Sequence, residues 1–324
     1  MGRAGRIRPS GRSAESERAR ARVRFRPGAP GVMAPAMTDP FARHIAACHN
    51  LPSFAGCVPL WVAGEAAAIG WLTPDFAQAL ASFPRDIRVV PEGVALDPRL
   101  ETPEARTAAL GEIAAALAAR GAFRLRGEPF DVRATSDGPS LATLDRGAIP
   151  AFGVISQGVH VNGLVRRAEG LHLWVGWRSQ GKAVAPGQLD HLIAGGIPAG
   201  LTPEETLEKE AGEEASVPPE LARQARRVGR VSYVMRNAEG IRRDVLHCFD
   251  LDLPEGFVPH PNDDEVERFE LWPVERVMAA VRDTDAVKFN VNLVLIDLFL
   301  REGLIDPESE QGRRLRAGLD QGPR

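Results

Sequence analysis

Three glutamates, Glu210, Glu213 and Glu214, stand at i, i+3 and i+4 in "PEETLEKEAGEEAS". At that spacing they share one face of a helix. Like charges so placed cost about 0.2–0.5 kcal/mol per pair. They also fall in the last turn, where the helix dipole disfavours anions. A bound cation reverses the sign of both costs. Oxygen-only donors select a hard ion, Mg²⁺ or Mn²⁺, which keeps waters and shares its coordination with substrate phosphates. The competing reading is a solvated acidic face held by Glu205–Lys209 and Lys209–Glu213 pairs.

The element that must carry these residues is marked at both ends. Thr202 and Glu205 form a capping box, with Pro203 at the first helical position, so the helix is expected from Pro203 to about Ala215. The preceding "AGGIPAG" supplies a tight backbone turn and a candidate carbonyl ligand. Further carboxylates come from "NDDEVERFE". Glu265 and Glu267 are two apart at an expected strand start, where alternation puts them on one side. Either is a candidate extra ligand or base, and an acidic turn is the plain alternative. Arg178 and Lys182 flank a "SQG" segment and are candidates to meet phosphate oxygens. Lys288 and Asn290 in "KFN", and His160 and Asn162 in "GVHVNG", are candidate polar pocket groups. Buried, satisfied polar residues explain each of them equally well. Trp174 and Trp177 have the chemistry to stack on a ring or to pack the core.

The remaining pattern is α+β. Residues 39–145 read as a small α+β domain. It holds a helix at "DPFARHIAACHN", a hairpin around Gly64-Glu65, and a helix at "TPDFAQALASF". A strand–turn–strand at "IRVVPEGVALD" follows, then a long helix from Thr102 to Gly121 and a second hairpin in "FRLRGEPFDVRA". The turn-rich "DGPSLATLDRGAIP" marks a boundary. Residues 146–306 alternate strands and helices without a regular βαβ rhythm, which predicts a mixed sheet with helices packed on it. A last helix ends near Gly303, and 307–324 are expected to be a flexible tail.

Charge is unevenly spread. The first 36 residues hold nine Arg and two Glu, a balance of +7, so the rest carries −10 of the total −3. An acidic body argues against nucleic acid as a partner. No apolar run has the length to span a bilayer. The head, residues 1–38, is Arg-, Gly-, Ser- and Pro-rich and is expected to be disordered. A transit peptide and a basic tail for RNA or anionic lipid are two readings of it. A translation start placed too early, with Met33 or Met37 the true one, is the reading we favour. Three cysteines without metal or redox spacing point to a reducing compartment, the cytoplasm.

The glycine turn and acidic helix together resemble the Nudix box, whose pattern is G, five residues, E, seven residues, R-E-U-x-E-E-x-G-U, with U aliphatic. Gly195 takes the first position, Glu210 the Glu of "RE", and Glu213-Glu214 the "EE". Ala211 and Val217 match the two U positions. Leu201, Lys209 and Ser216 depart from it, replacing the first Glu, the Arg and the last Gly. The loss of that Glu and the change from Arg to Lys are read as linked, with Lys209 free to pair with Glu205. The resemblance implies a Nudix-type α/β/α sandwich with a mixed sheet, preceded by the small α+β domain. It implies that Glu210, Glu213 and Glu214 hold Mg²⁺ (or Mn²⁺) near the Gly195 carbonyl. In many such proteins a Glu from the later segment, here Glu265 or Glu267, completes the site. Glu210, Glu213 and Glu265 are the candidate bases. Over about residues 40–306 the chain is similar to one subfamily. It includes the Nudix half of fungal proteins fused to thiamine pyrophosphokinase, and plant and bacterial enzymes with an N-terminal domain of unknown function. Its variant box is "GGIPAG" followed by x-(T/S)-P. That likeness implies hydrolysis of thiamine diphosphate, or its oxidised or oxy analogues, to monophosphates. The alternatives are an ADP-ribose or other nucleoside diphosphate hydrolase, or a Nudix-like sensor that binds without cleaving. The expected partner is a small-molecule diphosphate, not nucleic acid or a membrane. The N-terminal domain is expected to cover the site or to support a homodimer.

Overall fold

The computed structural model describes residues 39–182, 184–262 and 264–323. The arginine-rich head, and every expectation placed on residues 1–38, lie outside the described residues.

The chain enters through α1 (Ala42–Cys48). Strands β1 (Val58–Trp61) and β2 (Gly70–Leu72) pair antiparallel. In α2 (Pro74–Ala81) the Thr73 hydroxyl accepts from the Phe76 N–H and Pro74 opens the first turn. Strands β3 (Ile87–Val90) and β4 (Gly93–Leu96) form the next hairpin, and β4 lies parallel to β1, giving the order β2-β1-β4-β3. Helix α3 (Pro103–Ala119) is capped by Thr102 and followed by Gly121 at φ +82°, the left-handed position that ends a helix. Its Leu110, Ile113 and Leu117 recur at helical spacing and are all buried in one apolar cluster with the four-stranded sheet. Strands β5 (Pro129–Val132) and β6 (Ala142–Asp145) then pair, and α4 (Ile149–Phe152) closes this part.

Two readings of this region need correcting. The hairpin expected within residues 123–134 does not form there. Only β5 is a strand, and its partner β6 comes from the segment taken as a boundary turn. Glu128 to Asp145 is one structural unit, because the Asp145 carboxylate takes the Arg126 and Gly127 N–H groups at 2.9 and 2.7 Å. Helix α1, assigned to the N-terminal domain, buries Phe41, Ile45 and Cys48 in the core of the C-terminal part.

The second part is built on β7 (Ile155–Arg167), β8 (Gly170–Arg178), β9 (Leu189–Asp190) and β10 (Ile193–Gly196). After them come α5 (Pro203–Ala215), α6 (Pro219–Ala222), β11 (Arg226–Asn237), β12 (Gly240–Asp252) and β13 (Val266–Pro273). Helices α7 (Val274–Asp283), α8 (Val291–Arg301) and α9 (Glu310–Gly318) complete it. The sheet order is β11-β12-β7-β8-β13, with β10 on β7 and β9 on β8. The β12–β7 pair is parallel and the other pairs are antiparallel, so the sheet is mixed. Alternation splits its residues between two cores. Leu164, Leu173, Val175, Leu246 and Cys248 lie with α7, α8, α9 and α1 on one face. Val159, Val161, Phe249 and Leu251 lie with Leu207, Ala211 and Ala215 of α5 on the other. This is the expected α/β/α sandwich.

The expected flexible tail is ordered instead. Ser309 caps α9 by accepting from the Gly312 N–H. Leu315 and Leu319 are each 1% exposed in the α8 core. The Leu319 carbonyl accepts from the Ser232 N–H at 3.0 Å. Polar composition hid two leucines that bury apolar surface and an end that covers the edge strand β11.

Candidate active site

The capping box forms as the sequence indicates. Glu205 accepts from the Thr202 N–H and hydroxyl, both at 2.8 Å, while Thr202 Oγ1 accepts from the Glu205 N–H at 3.2 Å. Glu205 is thereby used at the cap, and the expected Glu205–Lys209 pair is replaced. Lys209 Nζ lies 2.7 Å from Glu213 and 3.2 Å from Glu210. The helix ends at Ser216 in the left-handed conformation, φ 52°, where a glycine carries no Cβ penalty. Ser216 offsets part of that cost by donating its hydroxyl to the His260 carbonyl at 3.0 Å.

Thr206, Leu207, Ala211 and Ala215 anchor α5 to the sheet. The same packing carries Glu214 inward. Glu214 is 5% exposed, and its Oε2 accepts from the Ala194 N–H of β10 at 2.9 Å. Burial pushes its carboxyl up to about 8, against the bond from Ala194 and with help from Glu210, Asp190 and Glu265. Burial also raises Glu210. Lys209 opposes that rise, while Glu213 and Glu265 add to it. A Cβ at Gly195 would lie 2.6 Å from Glu210 Cδ, so any larger residue would push that carboxylate aside. The missing side chain is what brings the β10 backbone against that carboxylate.

Glu265, just before β13, acts electrostatically on both Glu210 and Glu214 and pairs with Lys182 at 2.5 Å. Its own backbone is fixed by the Ser179 N–H, which donates to the Glu265 carbonyl at 2.9 Å. Glu267 is placed differently. It accepts from the Gln180 N–H at 3.1 Å and sits 3.9 Å from Arg268. The alternation argument that put both glutamates on one side fails, because the β13–β8 register shifts between Val266 and Arg268. A bulge inserts a residue and breaks the period of two.

Glu210, Glu213, Glu214 and Glu265, with Lys209 and Lys182, carry a net formal charge of −2. Two of these carboxyls, Glu210 and Glu214, are held above their usual range first by burial and then by neighbouring carboxylates. An oxygen-only donor set with excess negative charge fits a hard divalent cation. Such an ion would be held by Glu210, Glu213 and Glu214, with Glu265 and Gly195 at its border.

Of the two candidate phosphate-binding cations, Lys182 stands beside Glu265 and Arg178 sits elsewhere, at Asp190. Arg178 pairs with Asp190 at 2.7 Å and also donates to the Val184 and Ala185 carbonyls. Lys288 reaches the same Asp190 oxygen at 3.0 Å. Asn290 is buried with its Oδ1 unbonded. His160 Nδ1 meets His191 Nδ1 at 2.9 Å. Burial would raise the Asp190 carboxyl, but Lys288 and Arg178 outweigh it and hold it below the usual range. Burial lowers His191 to about 4, and His160 falls well below its ordinary value for the same reason. His160, Asp190 and His191 present ligand atoms within 4.8 Å of one another. A divalent cation there would have to compete with two cations already on Asp190, so the helix carboxylates are the better metal site. Asn162 is spent on Asp250 at 2.8 Å. Trp174 packs in the α5 core, and Trp177 carries the Arg268 guanidinium 4.3 Å from its ring centroid. Sequence reading passed over Asp190 and His191. "QLDHL" has no periodic signal, and only β9 pairing with β8 turns that pair inward.

Comparisons with known proteins identify the family. Residues 40–156 fit the model of a domain of unknown function, DUF4743, and residues 157–292 fit the NUDIX domain. The chain is 40% identical over 262 residues to Nudix hydrolase 24, chloroplastic, of Arabidopsis thaliana, covering 78% of this chain and 72% of that one. It is 42% identical over 217 residues to Nudix hydrolase 20, chloroplastic, of the same plant, covering 67% and 58%. It is 33% identical over 183 residues to the uncharacterized protein YJR142W of Saccharomyces cerevisiae, covering 52% and 53%. With the relative Nudix hydrolase 24 spanning most of both chains, and the NUDIX model covering the carboxylates of α5, this chain belongs to the Nudix hydrolases and acts on pyrophosphate bonds.

Proposed function

We propose that the protein is a Mg²⁺-dependent diphosphohydrolase of a small molecule, with thiamine diphosphate or its oxidised or oxy analogues cleaved to monophosphates. The observation that carries the metal-dependent reading is the pair of carboxyls, half-buried Glu210 and buried Glu214, raised by burial and by neighbouring carboxylates. The thiamine assignment rests on the variant box "GGIPAGLTP" and its resemblance to one subfamily. When bound, the cation neutralises the diphosphate and orients water for in-line attack on phosphorus. Glu213 and Glu214 hold the ion in this reading. Ala194 fixes Glu214 through its N–H. Glu210, raised above the usual carboxylate range, takes the proton of the attacking water as the bridging P–O bond breaks and the leaving phosphate carries off the electron pair. Lys182, beside Glu265, is placed to meet phosphate oxygens.

The second reading is a sensor that binds a diphosphate without cleaving it. Lys209 favours it, since its ammonium already bridges Glu210 and Glu213. The test is product release with Mg²⁺ from a panel of thiamine diphosphate, its oxidised forms, ADP-ribose, dinucleotides and nucleoside diphosphates. Metal-dependent turnover of the thiamine compounds, lost in Glu213→Gln and Glu214→Gln, is the expected result. Turnover of ADP-ribose alone would overturn the thiamine assignment. Tight binding with no turnover of any compound would establish the sensor.

A further inference from the structure

A cavity of about 260 Å³ opens where the two family segments meet. Phe130, Asp131, Arg133 and Ser136 come from the N-terminal part, and Gln157, Arg227 and His247 from the sheet of the C-terminal part. Ile197 and Leu201, from the turn between β10 and α5, complete the apolar side. The turn links this cavity to the carboxylate centre. Gly195 lies against Glu210, a Cβ on Gly196 would lie 2.5 Å from the Phe130 ring, and Ile197 lines the cavity. At about 3.3 Å per residue the separation along the chain is about 7 Å, within reach of one diphosphate ester.

The cavity floor is ordered by a hydrogen-bond chain that crosses the segment boundary. Arg227 donates to His247 Nδ1 at 2.6 Å, His247 Nε2–H donates to Gln157 at 2.7 Å, and Gln157 donates to the Ser136 carbonyl at 2.8 Å. With Arg227 as the donor at Nδ1, His247 is fixed as the neutral Nε2–H tautomer. Arg133 is set in turn by Asp131 at 2.7 Å. Two oriented guanidiniums beside Phe130, Ile197 and Leu201 make a site for a flat ring with acceptor nitrogens. The volume lies near the lower end of the range of about 300–1,000 Å³ for ligand pockets, so a ring system fits.

We propose that this cavity is the specificity pocket of the hydrolase, receiving the amino-substituted nitrogen heterocycle of its diphosphate substrate, with Arg133 of the N-terminal domain and Arg227 of the sheet reading the ring. The inference rests on the hydrolase reading. It gives the N-terminal domain a direct part in substrate choice, because that domain supplies one wall. The heterocycle is the pyrimidine of a thiamine ester or the purine of an adenosine ester, and the two are told apart by the test.

The test is calorimetric titration of the full chain with thiamine monophosphate and with AMP, each without metal, for wild type, Arg133→Ala, Arg227→Gln and Leu201→Trp. Circular dichroism checks folding, and Arg227→Gln keeps the measurement open should Arg133→Ala unfold. One probe should bind the wild type. Its Kd should rise about tenfold or more in each arginine variant, the scale of a lost charged hydrogen bond. Leu201→Trp should block binding by filling the cavity. Thiamine monophosphate as the bound probe assigns the pyrimidine, and AMP assigns the purine. Binding of neither probe, or Kd values within about twofold across all folded variants, would overturn the proposal. Retained pocket binding in a protein that turns over no diphosphate would sink the hydrolase reading and leave the pocket standing.

Discussion

On α5, Glu210, Glu213 and Glu214 with Glu265 outnumber the two lysines beside them. At Asp190, one carboxylate faces two cations, Arg178 at 2.7 Å and Lys288 at 3.0 Å. The Asp190 cluster is buried, the α5 cluster is open except at Glu214, and Asp190 is felt at Glu214. Their carboxyls move in opposite directions, Glu214 up to about 8 and Asp190 below the usual range. The Asp190 carboxylate is charge-paired as it stands and ties β8, β9 and the approach to α8 together. The α5 cluster has an excess of carboxylates that a bound cation would balance. On the proposed reading, charge balance in the folded chain separates a structural polar network from a functional one.

The largest effect should come from breaking the α5 cluster. Glu214→Gln keeps an acceptor for the Ala194 N–H and resembles the protonated acid. It should fold as well as wild type without metal and lose about 10²–10⁴-fold in kcat. A melting curve beside the rate measurement checks both halves. Loss of folding would show that Glu214 belongs with Asp190 as a structural group.

Asp190→Asn should do the reverse. It strands Arg178 and Lys288 as buried cations, a loss of about 3–5 kcal/mol by denaturant unfolding. Mg²⁺ affinity of the folded fraction should be retained. Wild-type stability with Mg²⁺ affinity lost would interchange the roles of the two clusters.

The pH dependence of the metal-free protein sharpens the comparison. Glu214 moves from an ordinary 4.5 to about 8, so between those values the folded state keeps a proton that the unfolded chain has lost. Stability falls as pH rises through that window, by at most about 1.4 kcal/mol per unit. Burial lowers His191 and His247 from 6.5 to about 4. The unfolded chain binds their protons first, so stability falls as pH drops below 6.5. Metal-free stability should peak near pH 6.5, and saturating Mg²⁺ should remove the decline above it. Urea unfolding at pH 5, 6.5 and 8, with and without Mg²⁺, reads this directly. An unchanged alkaline decline in Mg²⁺ would count against Glu214 as a ligand.

The sequence carried the α5 site well because its signals are local. A capping box, a proline at the first turn and glutamates at i, i+3 and i+4 are all set within one helix. The sandwich was legible for a related reason, since alternation along β7, β8 and β12 assigns residues to faces. What depended on pairing was hidden. The bulge at Val266–Arg268 separates Glu265 from Glu267, and Phe130 to Val132 find their partner across a nine-residue loop. Arg178 looked like a phosphate ligand and Lys288 like a pocket group because nothing in the order of residues shows that both end on Asp190. Helix α9 was missed because its polar face dominates its composition, while two leucines decide its packing.

The most direct test of the central claim is calorimetric titration of Mg²⁺ into wild type and Glu214→Gln at pH 7, in two buffers of different ionisation enthalpy. With Glu214 near 8, wild type should release close to one proton for each Mg²⁺ bound, and Glu214→Gln should bind more weakly and release almost none. Binding with no proton release in wild type, or with the same affinity and release in Glu214→Gln, would contradict the assignment of the α5 carboxylates as the metal centre.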